Sequence, residues 1–177
     1  MKSARGIPLG PTNHIIIPQQ PFFDENQMAN LESFRQESVS FQLERFPELG
    51  VRISDALGDE PILVGGNDMV FDKDVYKEIK LRILWPGYSR FPFERRLKTR
   101  DTKASRSLVL MLLSRAIADF IKHVNHNRIP VEQGFERWEV GMHRPSITSK
   151  DLFVTGLIHR GGSNWQPEIW CPSNRAN

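Results

Sequence analysis

Cysteine is almost absent from this sequence, because Cys171 is the single thiol among 177 residues. One thiol cannot form an internal disulfide, and it cannot supply the paired cysteine ligands of a structural zinc site. The sequence also contains no Asn-x-Ser/Thr glycosylation site. Both absences favour a reducing compartment, in which disulfides are rare.

Long apolar runs are missing as well. The longest uninterrupted run is LVLMLL (108–113), whereas a membrane-spanning helix needs about 20 apolar residues. The first residues, MKSARGIPLGP, lack the apolar stretch of a signal peptide. We therefore expect a soluble, intracellular protein, nuclear or cytoplasmic, that has no membrane partner.

No motif for catalysis or cofactor binding is present. Gly65 and Gly66 lack the lysine and the following helix of a phosphate-binding loop. His123 and His126 have a spacing that can hold a metal, but cationic side chains at a helix C-terminus explain the pair more simply. We therefore predict no catalytic residue, no metal site and no cofactor.

The net charge of +3 conceals an uneven distribution of charge. Residues 1–75 carry 6 basic and 12 acidic side chains, and residues 76–177 carry 18 basic and 9 acidic ones. The two parts therefore have net charges of −6 and +9. Such an asymmetry indicates an interaction with a polyanion, or neutralisation of one part by the other.

The first 24 residues hold four prolines, which oppose helix formation. We predict an extended arm over residues 1–34, with a candidate edge strand and a short helix. Ile15, Ile16 and Ile17 have high strand propensity and should be buried. They are expected to pack on the domain as an edge strand, and a dimerisation strand is the alternative.

The remaining pattern predicts one domain over residues 35–172 and a tail over 173–177. EIKLRILW (78–85) alternates as a half-buried strand does, and a broad apolar face predicts a helix from Ser105 or Ser107 to Val124, with Leu113 and Ile117 facing the sheet. Further strand candidates are SVSFQL (38–43), VRISDAL (51–57), RWEVG (137–141), DLFVTGLIHR (151–160) and WQPEIWC (165–171). This order predicts an α+β fold, in which one long amphipathic helix packs on a mainly antiparallel sheet behind a Pro-rich arm.

Four stretches carry a resemblance to other proteins. They read GVRISDAL (50–57), LRILWPGY (81–88), LVLMLLSRAIADFIKHV (108–124) and DLFVTGLIHRGGSNWQPEIW (151–170). In this order the chain resembles a group of uncharacterised proteins of mushroom-forming basidiomycete fungi, which has no known activity. The resemblance implies one coherent domain of fungal origin and transfers no site.

The stretch WPGYSRFPFERRLKTRDTKASR (85–106) is the most basic part of the chain. From position 90 onward, which we call the basic segment (residues 90–106), it holds seven Arg or Lys and two acids. We interpret it as a strand-to-helix connector that can neutralise phosphates. The candidate anion- or nucleic-acid-binding residues are Arg90, Arg95, Arg96, Lys98, Arg100, Lys103 and Arg106, and the candidate stacking residues are Tyr88, Phe91 and Phe93.

Three functions follow from these features. The first is a non-enzymatic binding module that contacts nucleic acid or a nuclear partner through the basic connector. The second is a protein–protein adaptor or homodimer that binds an acidic surface or uses Ile15, Ile16, Ile17 and the rings of Trp165 and Trp170, which we expect to be exposed. The third is an enzyme of unrecognised type. A solvated surface loop, or a cover supplied by the acidic part of the chain, would explain the basic segment without any partner.

Overall fold

The computed structural model describes residues 10–22, 38–58, 61–71, 78–98 and 104–175. The predicted short helix and most of the predicted arm lie outside these ranges. The strands are β1 (His14–Ile16), β2 (Val39–Ser40), β3 (Val51–Arg52), β4 (Glu78–Ile83), β5 (Phe93–Lys98), β6 (Phe153–His159) and β7 (Asn164–Pro172). The α-helices are α1 (Ile53–Leu57) and α2 (Arg106–His126), and short 3-10 turns span Glu136–Trp138, Ser149–Asp151 and Ser173–Arg175.

The seven strands of the described residues form one sheet in the order β2-β6-β7-β4-β5, in which β3 also pairs with β6 and β1 with β7. The predicted α+β class is confirmed, but the predicted mainly antiparallel sheet is corrected, because the sheet is mixed. Strand β4 runs parallel to β7, with Lys80 opposite Asn164 and Leu81 opposite Trp165. A parallel pair needs a long crossover connection, and the chain between β5 and β6, including α2, makes this arrangement available.

Helix α2 covers one face of the sheet. Its side-chain cap is Ser105, whose hydroxyl accepts a hydrogen bond from the Leu108 N–H at 3.3 Å. Leu113 and Ile117 are fully buried, as predicted, and they share the core with the inward side chains of β4. The long helix of the sequence analysis is therefore confirmed, and it extends two residues beyond Val124.

Strand β1 confirms that the isoleucines pair with the domain. It lies antiparallel to β7, and the next residue, Ile17, donates its N–H to the Ile169 carbonyl at 2.8 Å. The Ile17 side chain is 2% exposed, whereas Ile16 is 46% exposed on the opposite side of the strand. The Gln19 amide then donates to the Pro167 carbonyl and accepts from the Leu84 N–H, which holds the segment to the middle of the sheet.

Two strand predictions fail for local reasons. RWEVG forms the 3-10 turn Glu136–Trp138, after which Val140 makes only an isolated bridge with Ile147. VRISDAL forms a two-residue strand and then helix α1, in which Ile53 and Ala56 are buried. In short stretches like these, alternation and helical periodicity are hard to distinguish.

Candidate interaction surface at the edge of the sheet

The centre of the basic segment is a strand, which corrects its interpretation as a connecting loop. Residues Phe93–Lys98 form β5, which pairs antiparallel with β4 from Glu78 opposite Lys98 to Ile83 opposite Phe93. Phe93, Arg95 and Leu97 are half-buried, and the residues between them are exposed. The sequence alternates between inward and outward positions here, but the central inward position is Arg95, so the stretch does not show the apolar alternation typical of a half-buried strand.

Of the three candidate stacking rings, Tyr88 is part of the core and Phe93 packs against the core. Tyr88 is buried, and its hydroxyl accepts a hydrogen bond from the Val140 N–H at 3.2 Å. Burial raises the pKa of Tyr88 above its ordinary value. Phe93 packs edge-on against Phe120, with 5.8 Å between the ring centroids. Phe91 is the candidate ring that presents a large exposed fraction to solvent.

Several of the candidate basic residues contact the protein itself. Arg95 forms an ion pair with Asp119 of α2 at 2.8 Å. The Arg106 guanidinium donates to the backbone carbonyls of Ser40, at 2.6 Å, and Gly65, at 3.3 Å. Arg106 therefore joins the start of α2 to two other segments, and a structural role accounts for its position.

The remaining candidates have different surroundings. Arg90 and Lys98 are exposed. Arg96 is 63% exposed and lies near two carboxylates, 3.2 Å from Glu94 and 3.6 Å from Glu78. Arg100 and Lys103 lie outside the described residues. The basic segment therefore includes a strand with charges of both signs, rather than a uniformly positive loop.

The charges of β4 and β5 form a ladder on the sheet face away from α2. Glu94 accepts from Arg82 of β4 at 2.6 Å and from Arg96 at 3.2 Å. The Arg82 Nε also donates to the Asn164 side chain of β7 at 3.1 Å. Opposite charges on neighbouring strands stabilise their pairing. This face consequently holds β5 in register with β4.

The aromatic residues predicted to be exposed are not free on the surface. Trp165 is fully buried, and its ring lies 5.0 Å from the Phe71 ring and 4.6 Å from the His159 ring, centroid to centroid. Trp170 is half-buried and donates from Nε1 to the Thr155 hydroxyl at 2.9 Å. Both residues belong to β7, and their side chains contact other residues of the same domain.

The outer edge of β5 is the feature that sequence reasoning missed. Strand β5 is the last in the sheet order, and no strand among the described residues pairs with its far side. An edge strand presents a row of backbone N–H and C=O groups to which another strand can pair. Along this edge, the half-buried apolar side chains of Phe93 and Leu97 flank the charged residues Glu94, Arg95 and Arg96.

The Trp-Pro-Gly-Tyr turn before β5 packs against, and is hydrogen-bonded to, the loop that contains Val131, Glu132 and Phe135. Gly87 has φ +84°, and a Cβ atom at this position would lie 2.7 Å from side-chain atoms of both Val131 and Phe135, so the Trp-Pro-Gly-Tyr turn requires glycine. Two residues later, Ser89 donates from its N–H, at 2.9 Å, and its hydroxyl, at 2.6 Å, to one oxygen of Glu132. These bonds position the chain that enters β5.

The Ser89 hydroxyl lowers the pKa of Glu132, with smaller contributions from backbone N–H groups and from Arg90. We expect Ser89→Ala to raise the pKa of Glu132 towards its ordinary value in a carboxyl NMR titration. Glu136 is the internal control, because the Gly134 N–H is the main cause of its lowered pKa and that bond is retained. A carboxyl group whose pKa is lowered in the folded state stabilises the fold at pH values above its ordinary, unfolded-state pKa. This contribution is lost as the pH falls through the folded-state pKa. An unchanged Glu132 titration in the variant would contradict the assignment.

Two surface pockets lie elsewhere. One, of about 360 Å³, includes Pro11, Phe46, Arg52 and Phe153 in its lining. The other, of about 490 Å³, is formed by residues 141–144 and 148–151. In this second pocket the Asp151 carboxylate accepts from the Thr148 N–H and hydroxyl at 3.0 and 2.7 Å, so this acid stabilises its own turn.

Neither pocket supplies a metal centre. No group of three or more His, Cys, Asp or Glu side chains suited to a metal ion occurs in the described ranges. His123, one of the two helix-end histidines, lies 3.2 Å through Nδ1 from the Asn127 amide.

No family model, curated protein or solved structure matches this chain. The resemblance to the basidiomycete group therefore stays a prediction. In the part of the chain that the structure describes, no helix combines the length and the apolarity needed to cross a bilayer.

Proposed function

We propose that this protein is a non-enzymatic interaction domain, in which an extended segment of a partner protein adds to the sheet along the outer edge of β5. The observation that carries this proposal is that, among the described residues, no strand pairs with the outer edge of β5. Its six residues span about 20 Å, which is an ordinary length for strand pairing. In strand addition the backbone groups supply affinity, and the alternating side chains supply specificity.

The side chains of β5 define the partner sequence that fits. Apolar residues are favoured opposite Phe93 and Leu97, because both side chains are half-buried against the core. A basic residue is favoured opposite Glu94 and an acidic one opposite Arg96, since cross-strand pairs of opposite charge are stabilising. Charges on an edge strand also discourage unwanted pairing. Because β5 carries both negative and positive side chains, it favours a partner strand whose charges have the opposite signs at the facing positions.

A synthetic strand tests this proposal. The peptide Thr-Val-Glu-Glu-Lys-Val-Thr places valine opposite Leu97 and Phe93, acids opposite Arg96 and Arg95, and lysine opposite Glu94. We expect it to bind at low salt in fluorescence anisotropy and to slow amide hydrogen exchange in β5. The matched control peptide exchanges its two glutamates and its lysine for charges of the opposite sign. Arg96→Glu should weaken binding of the first peptide about tenfold.

Two results would count against the proposal. One is the absence of peptide binding at low salt, where screening is weakest. The other is binding that leaves the amide exchange of β5 unchanged, since the peptide would then lie elsewhere.

Nucleic-acid binding is the second candidate function. Its support is the exposure of Arg90 next to Phe91 at the start of the basic segment, which joins a phosphate-binding charge to a ring that can stack on an unpaired base. The same assay with duplex DNA and single-stranded RNA tests it. Affinity should fall with salt, with a logarithmic slope of about −0.9 per phosphate contact on duplex DNA and about −0.7 on single strands. Phe91→Ala should weaken only single-strand binding, and no binding at low salt would end this candidate.

A further inference from the structure

We infer that the segment added at the β5 edge is β5 of a second copy of this chain, and that the two strands run antiparallel about a two-fold axis at Arg95. The inference rests on the proposed function of this edge and names its partner. The β5 sequence Phe-Glu-Arg-Arg-Leu (93–97) is self-complementary in this one register.

The symmetry of such a pair restricts its register. Two identical antiparallel strands in one continuous sheet are related by a two-fold axis perpendicular to the sheet. Side chains directly opposite each other lie on the same face, and successive residues alternate between faces. A residue can therefore lie opposite itself or opposite residues an even number of positions away. Position 94, 95 or 96 can thus occupy the axis in the middle of β5.

The axis at Arg95 gives the most favourable set of pairs. Phe93 then lies opposite the partner's Leu97, and Glu94 lies opposite the partner's Arg96. Because of the two-fold symmetry, each of these pairs occurs twice in the dimer. With Glu94 on the axis, two carboxylates face each other and Phe93 meets an arginine. With position 96 on the axis, two guanidinium groups face each other and Leu97 meets an arginine. The register centred on Arg95 alone combines two apolar pairs with two Glu–Arg pairs.

The like charges on the axis are compensated within each subunit. Arg95 is bound to Asp119 of its own α2 at 2.8 Å, and the Asp119 side chain is 32% exposed. Because the axis is perpendicular to the sheet, both α2 helices lie on the same face of the dimer. Two Arg95–Asp119 pairs then approach each other, and the positive charge of each arginine is balanced by Asp119 of its own subunit.

Complementary charge reversals test this pairing. We expect sedimentation velocity to show a concentration-dependent dimer of the full chain, and Glu94→Arg and Arg96→Glu to raise its dissociation constant at least about tenfold each. An equimolar mixture of the two variants should form a heterodimer, because arginines at 94 and 96 of one subunit meet glutamates at 96 and 94 of the other. Circular dichroism melts establish that each variant is folded. Dimerisation unaffected by either reversal, or no heterodimer in the mixture, would overturn the inference.

A cysteine scan tests the register itself. The natural thiol of Cys171 is fully buried, so it gives little background. We expect Arg95→Cys to form a disulfide-linked dimer under mild oxidation, since only this position lies opposite itself. Glu94→Cys and Arg96→Cys should crosslink poorly alone and well when mixed. Efficient crosslinking of Glu94→Cys alone would show that the register is wrong.

The outcomes separate this inference from the proposed function. A chain that stays monomeric up to millimolar concentration but binds the synthetic strand along β5 retains the proposed function and disproves self-pairing. A dimer that survives both charge reversals uses another surface, and the peptide assay then decides the function of the β5 edge by itself.

Discussion

Ile17→Asp is expected to lower the free energy of unfolding by about 2.5–6 kcal/mol. The substitution removes about 1.5–3 kcal/mol of apolar burial and adds a penalty of about 1–3 kcal/mol for a polar group without a hydrogen-bond partner. Ile17 is 2% exposed, and its N–H bonds to β7, so the new carboxylate would enter the core beside the sheet. Urea denaturation followed by tryptophan fluorescence measures the loss.

The neighbouring residue supplies a matched control. Ile16→Asp introduces the same charge one position earlier, but this side chain is 46% exposed and points away from the core, so a loss below about 1 kcal/mol is expected. The penalty at Ile17 should also shrink as the pH falls, because a protonated carboxyl costs less to bury than a charged one. Equal and small losses in both variants would mean that the segment after β1 does not stabilise the domain.

Trp165→Ala should be the most damaging aromatic substitution, with a loss of about 3–5 kcal/mol. The ring is fully buried and contacts the rings of Phe71 and His159. Leu81 of the parallel strand β4 is the cross-strand partner of Trp165. Truncation therefore removes contacts with several elements and leaves a cavity that a close-packed core cannot fill.

Phe91→Ala is the control for this substitution. It also deletes an aromatic ring, but the ring is 46% exposed, so the expected change is within about 0.5–1 kcal/mol. Thermal melts of both variants and of the wild-type chain decide the comparison. A loss of stability for Trp165→Ala as small as that for Phe91→Ala would contradict the burial of Trp165 and would favour the exposed position that we expected from the sequence.

Local pattern was enough to identify the main elements. The apolar positions of α2 recur every three or four residues, and Ser105 precedes them as a cap, so the helix is readable from the chain alone. Alternation identified β4, and β6 and β7 were visible on either side of their Gly-rich turn. These signals are local because they depend on which face of an element is buried, and that face is encoded by residue spacing.

The candidate site was harder to predict, because its residues were assigned by type rather than by neighbourhood. Tyr88, Phe93 and Trp165 were assigned to binding as aromatic residues, yet Tyr88 and Trp165 are buried and Phe93 packs on α2. Arg95 and Arg106 were assigned as cations, yet they contact Asp119 and two carbonyls. Each of these partners is distant in sequence, so no local pattern could reveal it.

The sequence by itself determined the α+β composition, the long capped helix, the alternating strands and the concentration of positive charge after residue 75. Only the tertiary structure decided that β4 lies parallel to β7, that the middle of the basic segment is the last strand of the described sheet, and that no other described strand pairs with its outer edge. The physical reason is that strand order and direction depend on backbone hydrogen bonds between distant residues. Residue spacing encodes the buried face of a strand but not the identity of its neighbours.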